Sequence, residues 1–337
     1  MGMSSKRERA KVRLPLVAST ASHTRHVSLD QPSRHVDRRT RPIHAVWELT
    51  LACDLGCTHC GSRAGRARPD ELSRAEALDL VAQLAALGGQ EVTYLSPHFL
   101  DVVRAVRAHQ MSSVLVTGDR QLDAARARAA AQAGIESVSV SIDGDLASHG
   151  TLRGLEGAYD PALAALGHAR DAGLMVALNT QVNRRSLRCL EHVGALLVVQ
   201  GCHALQLILT VPAGRAADVP DLVLQPRDLL GLFPRIAQLA EHCERHGIKL
   251  LPGNNVGYFG LYEHRLRRSL RSASQVSCAA GRLVIGIEAN GDIKGCPSLP
   301  TRGWVGGNVR DHSLADIWER AEALRFIRDR NGSELWG

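Results

Sequence analysis

Apolar positions follow two alternating patterns along most of the chain. From about residue 43, short runs rich in Val, Ile, Leu and Thr, typical of strands, alternate with longer amphipathic stretches, typical of helices. The strand-like runs are 45–53, 91–95, 112–118, 136–144, 174–182 and 205–211, and the helical stretches begin at Ser73 or lie near 97–109, 121–133, 159–172, 186–200 and 226–246. Six β-then-α units in series predict parallel strands with right-handed crossovers, in an open doubly wound sheet or a full or partial barrel.

The first long helix carries its own start signal. Ser73 is followed three residues later by Glu76, which is the spacing of a capping box: the serine hydroxyl accepts from the Glu76 amide while the carboxylate reaches back. The apolar pattern after it continues to Gly88, where we expect the helix to stop.

The pattern changes near residue 252. Two short strand runs there are joined by Asn290-Gly291, a signal for a two-residue hairpin in which both turn positions take positive φ, and a helix follows Ser313 as a plausible N-cap. This predicts a small α+β appendage. We therefore divide the chain into a basic leader expected to be disordered (1–41), a barrel (42–251) and the appendage (252–337).

Charge is concentrated at the start of the chain. The formal net charge is +7, and ten of the basic residues precede residue 42. A basic segment with few apolar residues is typical of a solvated leader, so we expect neither nucleic-acid nor membrane binding. The chain has no signal-peptide core or membrane-spanning run, which predicts a cytoplasmic protein. In a reducing compartment, clustered cysteines indicate metal binding or catalysis more often than disulfides.

Cys53, Cys57 and Cys60 form a C-x3-C-x2-C cluster at the carboxyl end of the first predicted strand. Three thiolates can hold three irons of a [4Fe–4S] cube and leave the fourth iron without a protein ligand. The alternative is a structural zinc ion with His59 as the fourth ligand. A nicotinamide enzyme is disfavoured, because no G-x-G-x-x-G motif follows any predicted strand.

This motif in its strand context resembles the radical S-adenosylmethionine (SAM) superfamily, whose signature is C-x3-C-x-aromatic-C. The resemblance covers roughly residues 43–330, with His59 at the aromatic position. It implies a partial (β/α)6 TIM-type barrel with a [4Fe–4S] cluster whose open iron chelates SAM. An electron from the cluster then cleaves SAM to a 5′-deoxyadenosyl radical, which abstracts a substrate hydrogen. The family needs an external reductant such as flavodoxin or ferredoxin.

The resemblance also implies cofactor-binding residues, although it indicates no catalytic residue. Besides His59, they are Ser141 and Asp143 in "VSVSIDG", Arg153 in "TLRG", which corresponds to an arginine on the SAM carboxylate, and Asn179 or Gln181 in "LNTQVN". Each has an ordinary alternative: Ser141 as a plain strand residue, and Arg153 as a solvated loop charge.

The appendage resembles the start of a SPASM or twitch extension. Cys278 precedes the predicted hairpin and Cys296 ends it. Such extensions bind auxiliary iron–sulfur clusters and are common in enzymes that modify ribosomally made peptides, so the resemblance implies peptide or natural-product maturation with a precursor peptide as partner. The sequence stops at "SELWG" without the extension's remaining cysteines. Two thiolates cannot hold a cluster that needs four ligands, so we expect the auxiliary site to be empty or unstable.

One family motif is missing from the barrel. Relatives carry Gly-Gly-Glu at the carboxyl end of the second strand, where it receives the SAM ammonium, whereas "EVTYLSPHFLDVV" runs from strand almost directly into helix, as though residues were lost between Thr93 and Tyr94. "GGQE" at Gly88 to Glu91 precedes the strand and so stands at the wrong end. Two alternatives to an active enzyme therefore remain: a degenerate member that binds iron–sulfur without cleaving SAM, and a zinc-stabilised interaction protein.

Overall fold

Seven parallel strands form the centre of the structure. The computed structural model describes residues 33–94, 100–118, 120–257, 259–267 and 278–329. The parallel strands are β1 (His44–Trp47), β2 (Glu91–Tyr94), β3 (Ser112–Thr117), β4 (Ser137–Ser141), β5 (Met175–Val182), β6 (Ala204–Leu209) and β7 (Lys249–Pro252). They lie side by side in chain order. The first six are the strands that the apolar runs predict.

Most of the helices connect the parallel strands and cover one face of the sheet. They are α1 (His35–Arg39), α2 (Arg74–Ala86), α3 (Leu100–Ala108), α4 (Ala124–Ala133), α5 (Leu146–Arg153), α6 (Tyr159–Asp171), α7 (Leu190–Val199), α8 (Pro226–Arg245), α9 (Glu263–Leu266), α10 (Leu314–Arg320) and α11 (Glu322–Arg325). Right-handed crossovers between strands in chain order place the connecting helices α2, α3, α4, α6, α7 and α8 on the same side. No helix in the described ranges is long and apolar enough to cross a membrane.

Three further strands extend the sheet beyond β1. β8 (Val284–Ile287) pairs parallel with β1, and β9 (Asp292–Lys294) pairs antiparallel with β8 and with β10 (Val305–Asn308). The sheet order is therefore β10-β9-β8-β1-β2-β3-β4-β5-β6-β7, and its two edge strands do not pair with each other in the part of the chain described. The fold is an α/β partial barrel whose sheet the appendage continues.

The turn between β8 and β9 differs from the predicted two-residue turn. Gly291 has a φ of +88°, but Asn290 does not take positive φ. The Gly291 amide donates to the Glu288 carbonyl (3.0 Å), and the Glu288 amide donates to the Asp292 carbonyl (2.9 Å). The loop therefore holds three residues, 289–291, as a type I turn that ends in a left-handed glycine. The expectation of positive φ at both turn positions was wrong.

Burial alternates along the strands and separates two faces of the sheet. In β4, Val138 and Val140 pack into the main core with residues of α6 such as Leu166. Ser139 and Ser141 point to the opposite, inner face, because successive strand side chains alternate in direction. The same alternation in β5 places Leu178 with the helices and Asn179 on the inner face. The inner face of these strands is therefore polar, which suits a binding site better than a packed core.

The start of α2 confirms the capping box. The Glu76 amide donates to the Ser73 hydroxyl oxygen (3.3 Å), and the Ser73 amide donates to the Glu76 carboxylate (2.7 Å). The helix ends at Ala86, and Gly88 takes a φ of +85° just beyond it. This fixes the connection that returns the chain to β2.

Residues 33–41, which the sequence places in the leader, are folded. Asp37 in α1 is fully buried and lies within 3.6 Å of Arg325 and 3.4 Å of Arg328. Burial alone would raise the pKa of Asp37, but hydrogen bonds from Arg34 and the nearby guanidinium groups hold it below its ordinary value. The end of the leader thus docks on the appendage. The division into three parts stays a prediction.

Candidate functional site

The three clustered cysteines lie on one loop at the carboxyl edge of the sheet. The loop leaves β1 and is closed by hydrogen bonds from the Cys53 amide to the Gly65 carbonyl (3.3 Å) and from the Gly65 amide to the Leu51 carbonyl (2.8 Å). Cys57 is buried, Cys60 is half-buried and Cys53 is exposed. The carboxyl edge is where parallel α/β proteins build their sites, so the loop is well placed for a cofactor.

The three thiols suit a cluster, in which each thiolate binds a different iron. Ligands of a single ion must converge on one point, and no three His, Cys, Asp or Glu side chains do so in the described ranges. Burial raises the pKa of the Cys57 thiol, and partial desolvation by the surrounding loop raises that of Cys53 although the residue is exposed. Both thiols are therefore protonated near neutral pH without metal. Iron binding at this loop must displace their protons.

A buried ion pair lies beside the cysteine loop. Arg153, at the end of α5, places Nη2 2.8 Å from Asp143 Oδ2 and Nη1 3.7 Å from Cys57 Sγ. Both charged residues are buried. Burial alone would raise the pKa of Asp143, but chiefly the Arg153 guanidinium holds it below its ordinary value. The Asp143 carboxylate is therefore ionised and the pair is charged.

Glycines allow Arg153 to reach the loop. Gly154 ends α5 with a φ of +67°, and a Cβ there would overlap the Gly56 carbonyl oxygen of the cysteine loop. The Thr58 amide donates to the Leu152 carbonyl (2.8 Å) across the same contact. At the end of β3, a Cβ at Gly118 would lie 3.2 Å from Arg153 Nη1. Side chains larger than glycine at these positions would push the guanidinium away from Cys57.

Two buried histidines surround Asp143. His59 places Nε2 3.6 Å from Asp143 Oδ2, and burial lowers its pKa to about 4, so the ring is neutral. His149, in α5, accepts the Asp143 amide hydrogen at Nδ1 (3.3 Å), and burial lowers its pKa to about 4 as well. Sequence reasoning missed His149, because the only signal is its position just before "TLRG". The ring fixes the backbone from which Asp143 projects.

The predicted polar residues of β4 and β5 lie in one row. Ser141 is opposite Asn179, and Asn179 is opposite Gln206 in β6. Asn179 Oδ1 is buried and has no hydrogen-bond partner in the described part of the chain. The Gln181 side-chain oxygen instead accepts from the Thr210 hydroxyl (3.3 Å), and the Gln181 backbone N–H donates to Asp143 Oδ1 (2.9 Å). Of the two amides, Asn179 is the better candidate for a ligand.

Arg215, which sequence reasoning missed, binds the cysteine loop from the other side of the barrel. Its Nε donates to the Cys57 carbonyl (2.7 Å), its Nη1 to the Ala64 carbonyl (2.9 Å) and its amide to the Cys60 carbonyl (2.9 Å). The contact needs Gly214 (φ +55°), because a Cβ there would overlap the carbonyl oxygen of Cys60. The only sequence signal is a Gly-Arg pair just beyond the sixth strand.

Comparison with known proteins identifies the family. A model of the radical SAM superfamily matches residues 47–182, and one of the iron–sulfur cluster-binding SPASM domain matches residues 278–335. The mycofactocin maturase MftC of Mycolicibacterium smegmatis is 30% identical over 298 residues, which are 86% of this chain and 73% of the relative. The chain belongs to the radical SAM superfamily.

Other radical SAM proteins show the same resemblance. The AdoMet-dependent heme synthase of Methanosarcina barkeri is 27% identical over 308 residues, 86% of this chain and 85% of the relative. Among solved structures, SuiB of Streptococcus suis bound to S-adenosylmethionine superposes with a TM-score of 0.69 at 14% identity, covering 87% of this chain and 70% of SuiB. At that identity the superposition supports the fold alone.

Radical SAM proteins use a [4Fe–4S] cluster and SAM, and the residues at this site fit both. Three thiols are available for a cube. Several buried polar atoms lack a hydrogen-bond partner among the described residues: Arg153 Nε, Arg215 Nη2, His59 Nδ1 and Asn179 Oδ1. Cationic donors and an amide acceptor are what the carboxylate and other polar groups of SAM require. The assignment of each residue stays a prediction.

Removal of the Arg215 side chain is expected to loosen the cluster loop. Arg215→Ala deletes two hydrogen bonds from a charged group, each worth about 1.5–3 kcal/mol, and leaves the Cys57 and Ala64 carbonyls without these donors. We expect a chelator to strip iron from the reconstituted variant about 10- to 100-fold faster than from the wild type. Arg235→Ala, which removes a bond to the Leu187 carbonyl (3.2 Å), is the control. Equal stripping rates would contradict this function of Arg215.

The appendage cysteines flank the β8–β9 hairpin in the chain, and the backbone at Cys296 packs against Gly286 of β8. Burial raises the pKa of Cys296, and the nearby Cys278 adds to this effect. Lys294 Nζ donates to the Leu299 carbonyl (2.8 Å) and pairs with Glu288 (2.8 Å), which holds the loop that carries Cys296. Residues 330–337, including "SELWG", lie outside the described residues. Cys278 and Cys296 stay a predicted incomplete auxiliary site.

The "GGQE" segment lies at the amino end of β2. Glu91 is the first residue of that strand, and its carboxylate is 2.7 Å from His44 Nδ1 at the start of β1. The cysteine loop leaves the opposite end of β1. Residues 95–99, which come next in the chain after β2, lie outside the described residues. Glu91 is therefore placed to stabilise the strand pair rather than to contact the cysteine loop.

Proposed function

We propose that this protein is a radical SAM enzyme that modifies a peptide, with its [4Fe–4S] cluster bound by Cys53, Cys57 and Cys60. The observation that carries the proposal is the contact between the cysteine loop and the buried Arg153–Asp143 pair, in which Arg153 Nη1 lies 3.7 Å from Cys57 Sγ. A buried cation beside a thiolate trio is the arrangement that a ligand with a carboxylate at the open iron requires.

The bound cluster supplies an electron for SAM cleavage and so a radical that removes a substrate hydrogen. The protein's residues hold and orient the reactants. Arg153 has a buried Nε free to bind the SAM carboxylate, and Ser141 and Asn179 offer hydrogen bonds from the inner face of β4 and β5. His59 is neutral and buried, so it contributes packing and one ring nitrogen rather than charge.

A peptide substrate is supported by the names of the relatives. Several are mycofactocin maturases, and SuiB, which shares the fold, is also known as a complex with its precursor peptide SuiA. The electron has to come from another protein, and we assign this role to a flavodoxin or ferredoxin. We infer a cytoplasmic location, because a reducing compartment keeps cysteine ligands available as thiols.

A second candidate is an iron–sulfur protein that binds the cluster without cleaving SAM. It is favoured by the position of Glu91 at the amino end of β2, which leaves "GGQE" remote from the cysteine loop. Loss of two hydrogen bonds to a charged group weakens binding by about 10²- to 10⁴-fold. Such a loss would affect SAM but not the cysteine ligands.

Anaerobic reconstitution with iron and sulfide distinguishes the candidates. An active enzyme becomes brown and releases 5′-deoxyadenosine from SAM after reduction with dithionite. A brown protein that releases none supports the second candidate. A colourless protein that retains zinc would contradict both and support a zinc-stabilised interaction protein.

A further inference from the structure

Carboxylates near the cysteine loop differ in whether they have a partner. Three of them form ion pairs: Asp143 with Arg153, Asp54 with Arg120 (3.0 Å) and Glu288 with Lys294 (2.8 Å). A fourth, Glu71, accepts two backbone amide hydrogens. Glu48 makes no ion pair within the described ranges and accepts a hydrogen bond from the Ser62 hydroxyl. Burial raises the pKa of Glu48 because this hydroxyl and the more distant Lys294 and Arg68 compensate only part of the cost.

Glu48 lies at the mouth of the barrel. It follows Trp47, the last residue of β1, and its amide donates to the Ile287 carbonyl of β8 (2.9 Å). Trp47 and Leu49 pack into the main core on the helix side, so alternation directs Glu48 to the inner face. Its partner Ser62 is two residues beyond Cys60. The carboxylate therefore lies between the strand and the cysteine loop.

This position is next to the carboxyl end of β2. Trp47 pairs with Tyr94, the last residue of β2, so Glu48 is one step beyond the paired ends of both strands. Glu91, the acidic residue of β2, is at the opposite edge and pairs with His44. Of the carboxylates named above, Glu48 and Glu71 make no ion pair among the described residues. Glu71 is compensated by two backbone amide hydrogens, so Glu48 is the one that remains for an added cation.

SAM carries both a carboxylate and an ammonium group. The site described so far supplies cations for the carboxylate but no anion for the ammonium group. We propose that Glu48 binds the ammonium group of SAM. The proposal rests on the proposed function. An ammonium ion donates three hydrogens, so it can bond to the carboxylate oxygen that Ser62 leaves available. The ion pair would compensate the desolvation cost of the half-buried Glu48 carboxylate.

The test compares two ligands on one isosteric variant. Glu48→Gln keeps an acceptor for Ser62 and removes the charge. In anaerobic equilibrium dialysis of reconstituted protein, we expect SAM to bind the variant about 10- to 100-fold more weakly than the wild type. A SAM analogue that lacks the α-amino group should bind both proteins equally. Iron content should be unchanged, and Glu91→Gln, at the other end of the strand pair, should bind SAM like the wild type.

Two results would overturn the proposal. One is equal affinity of SAM for the wild type and Glu48→Gln. The other is an equal loss for SAM and the analogue, which would mean that the substitution disturbs the site rather than the ammonium contact. A wild-type protein that takes up iron but fails to bind SAM would contradict the proposed function itself, and this inference with it.

Discussion

Cys57→Ala is expected to abolish the iron–sulfur chromophore. Cys57 is the buried member of the cysteine trio, and its sulfur is the one that Arg153 contacts at 3.7 Å. Without it the loop retains two thiolates, which cannot hold a cube stably. Iron per chain after anaerobic reconstitution should fall to background, with the charge-transfer absorption lost in parallel.

Cys243→Ala is the matched control. Cys243 is also buried, but it lies in α8 within the main core. Its pKa of about 11, raised by burial, keeps it a thiol at neutral pH. We expect a stability loss of about 1 kcal/mol and full colour. Equal colour in the two variants would contradict the assignment of Cys57 as a ligand.

The order of strands and helices could be predicted because it depends on local patterns. Alternating apolar runs specify β1 to β6, and the Ser73 box specifies where α2 begins. β7, Lys249–Pro252, was missed because it ends in a proline, which cannot donate to a strand partner. The hairpin turn was predicted in place but not in type, since Asn-Gly also fits a type I turn before a left-handed glycine.

The sequence predicted those site residues that lie close, along the chain, to a predicted strand. Cys53, Cys57, Cys60 and Asp143 follow strands whose carboxyl ends share one edge, and Asn179 lies within the next strand, β5. Arg215 is 158 residues from Cys57, the loop residue whose carbonyl it binds. A local sequence pattern does not indicate which loops of a barrel contact each other. The contact of Arg215 with Cys57 and the hydrogen bond between His149 and Asp143 could therefore be found only from the structure.

Iron binding and SAM binding are separable properties of this chain. The cysteine loop is held by backbone hydrogen bonds, by the close approach of Gly154 to the Gly56 carbonyl and by Arg215, none of which depends on the carboxyl end of β2. SAM binding is expected to require a cation for its carboxylate and an anion for its ammonium group, both beside that loop. Arg153 reaches it from the end of α5, and Glu48 from the end of β1. Substitutions at these two charges are therefore expected to change SAM affinity while the iron content is preserved.

Arg153→Met should destabilise the protein and weaken SAM binding at the same time. The substitution leaves the Asp143 carboxylate buried without its cation, which typically costs about 3–5 kcal/mol. Urea unfolding of the iron-free protein measures this loss. Adding Asp143→Asn removes the uncompensated charge and keeps the oxygen that accepts from the Gln181 backbone N–H (2.9 Å). The double variant should therefore be more stable than Arg153→Met alone.

SAM affinity distinguishes a ligand role of Arg153 from a purely structural one. If Arg153 binds the SAM carboxylate, the double variant regains stability but not affinity, because the cation is still missing. If the guanidinium served only to neutralise Asp143, affinity would recover together with stability. Equal free energies of unfolding for the single and double variants would instead show that the pair, with Arg153 Nη2 2.8 Å from Asp143 Oδ2, does not compensate a buried charge.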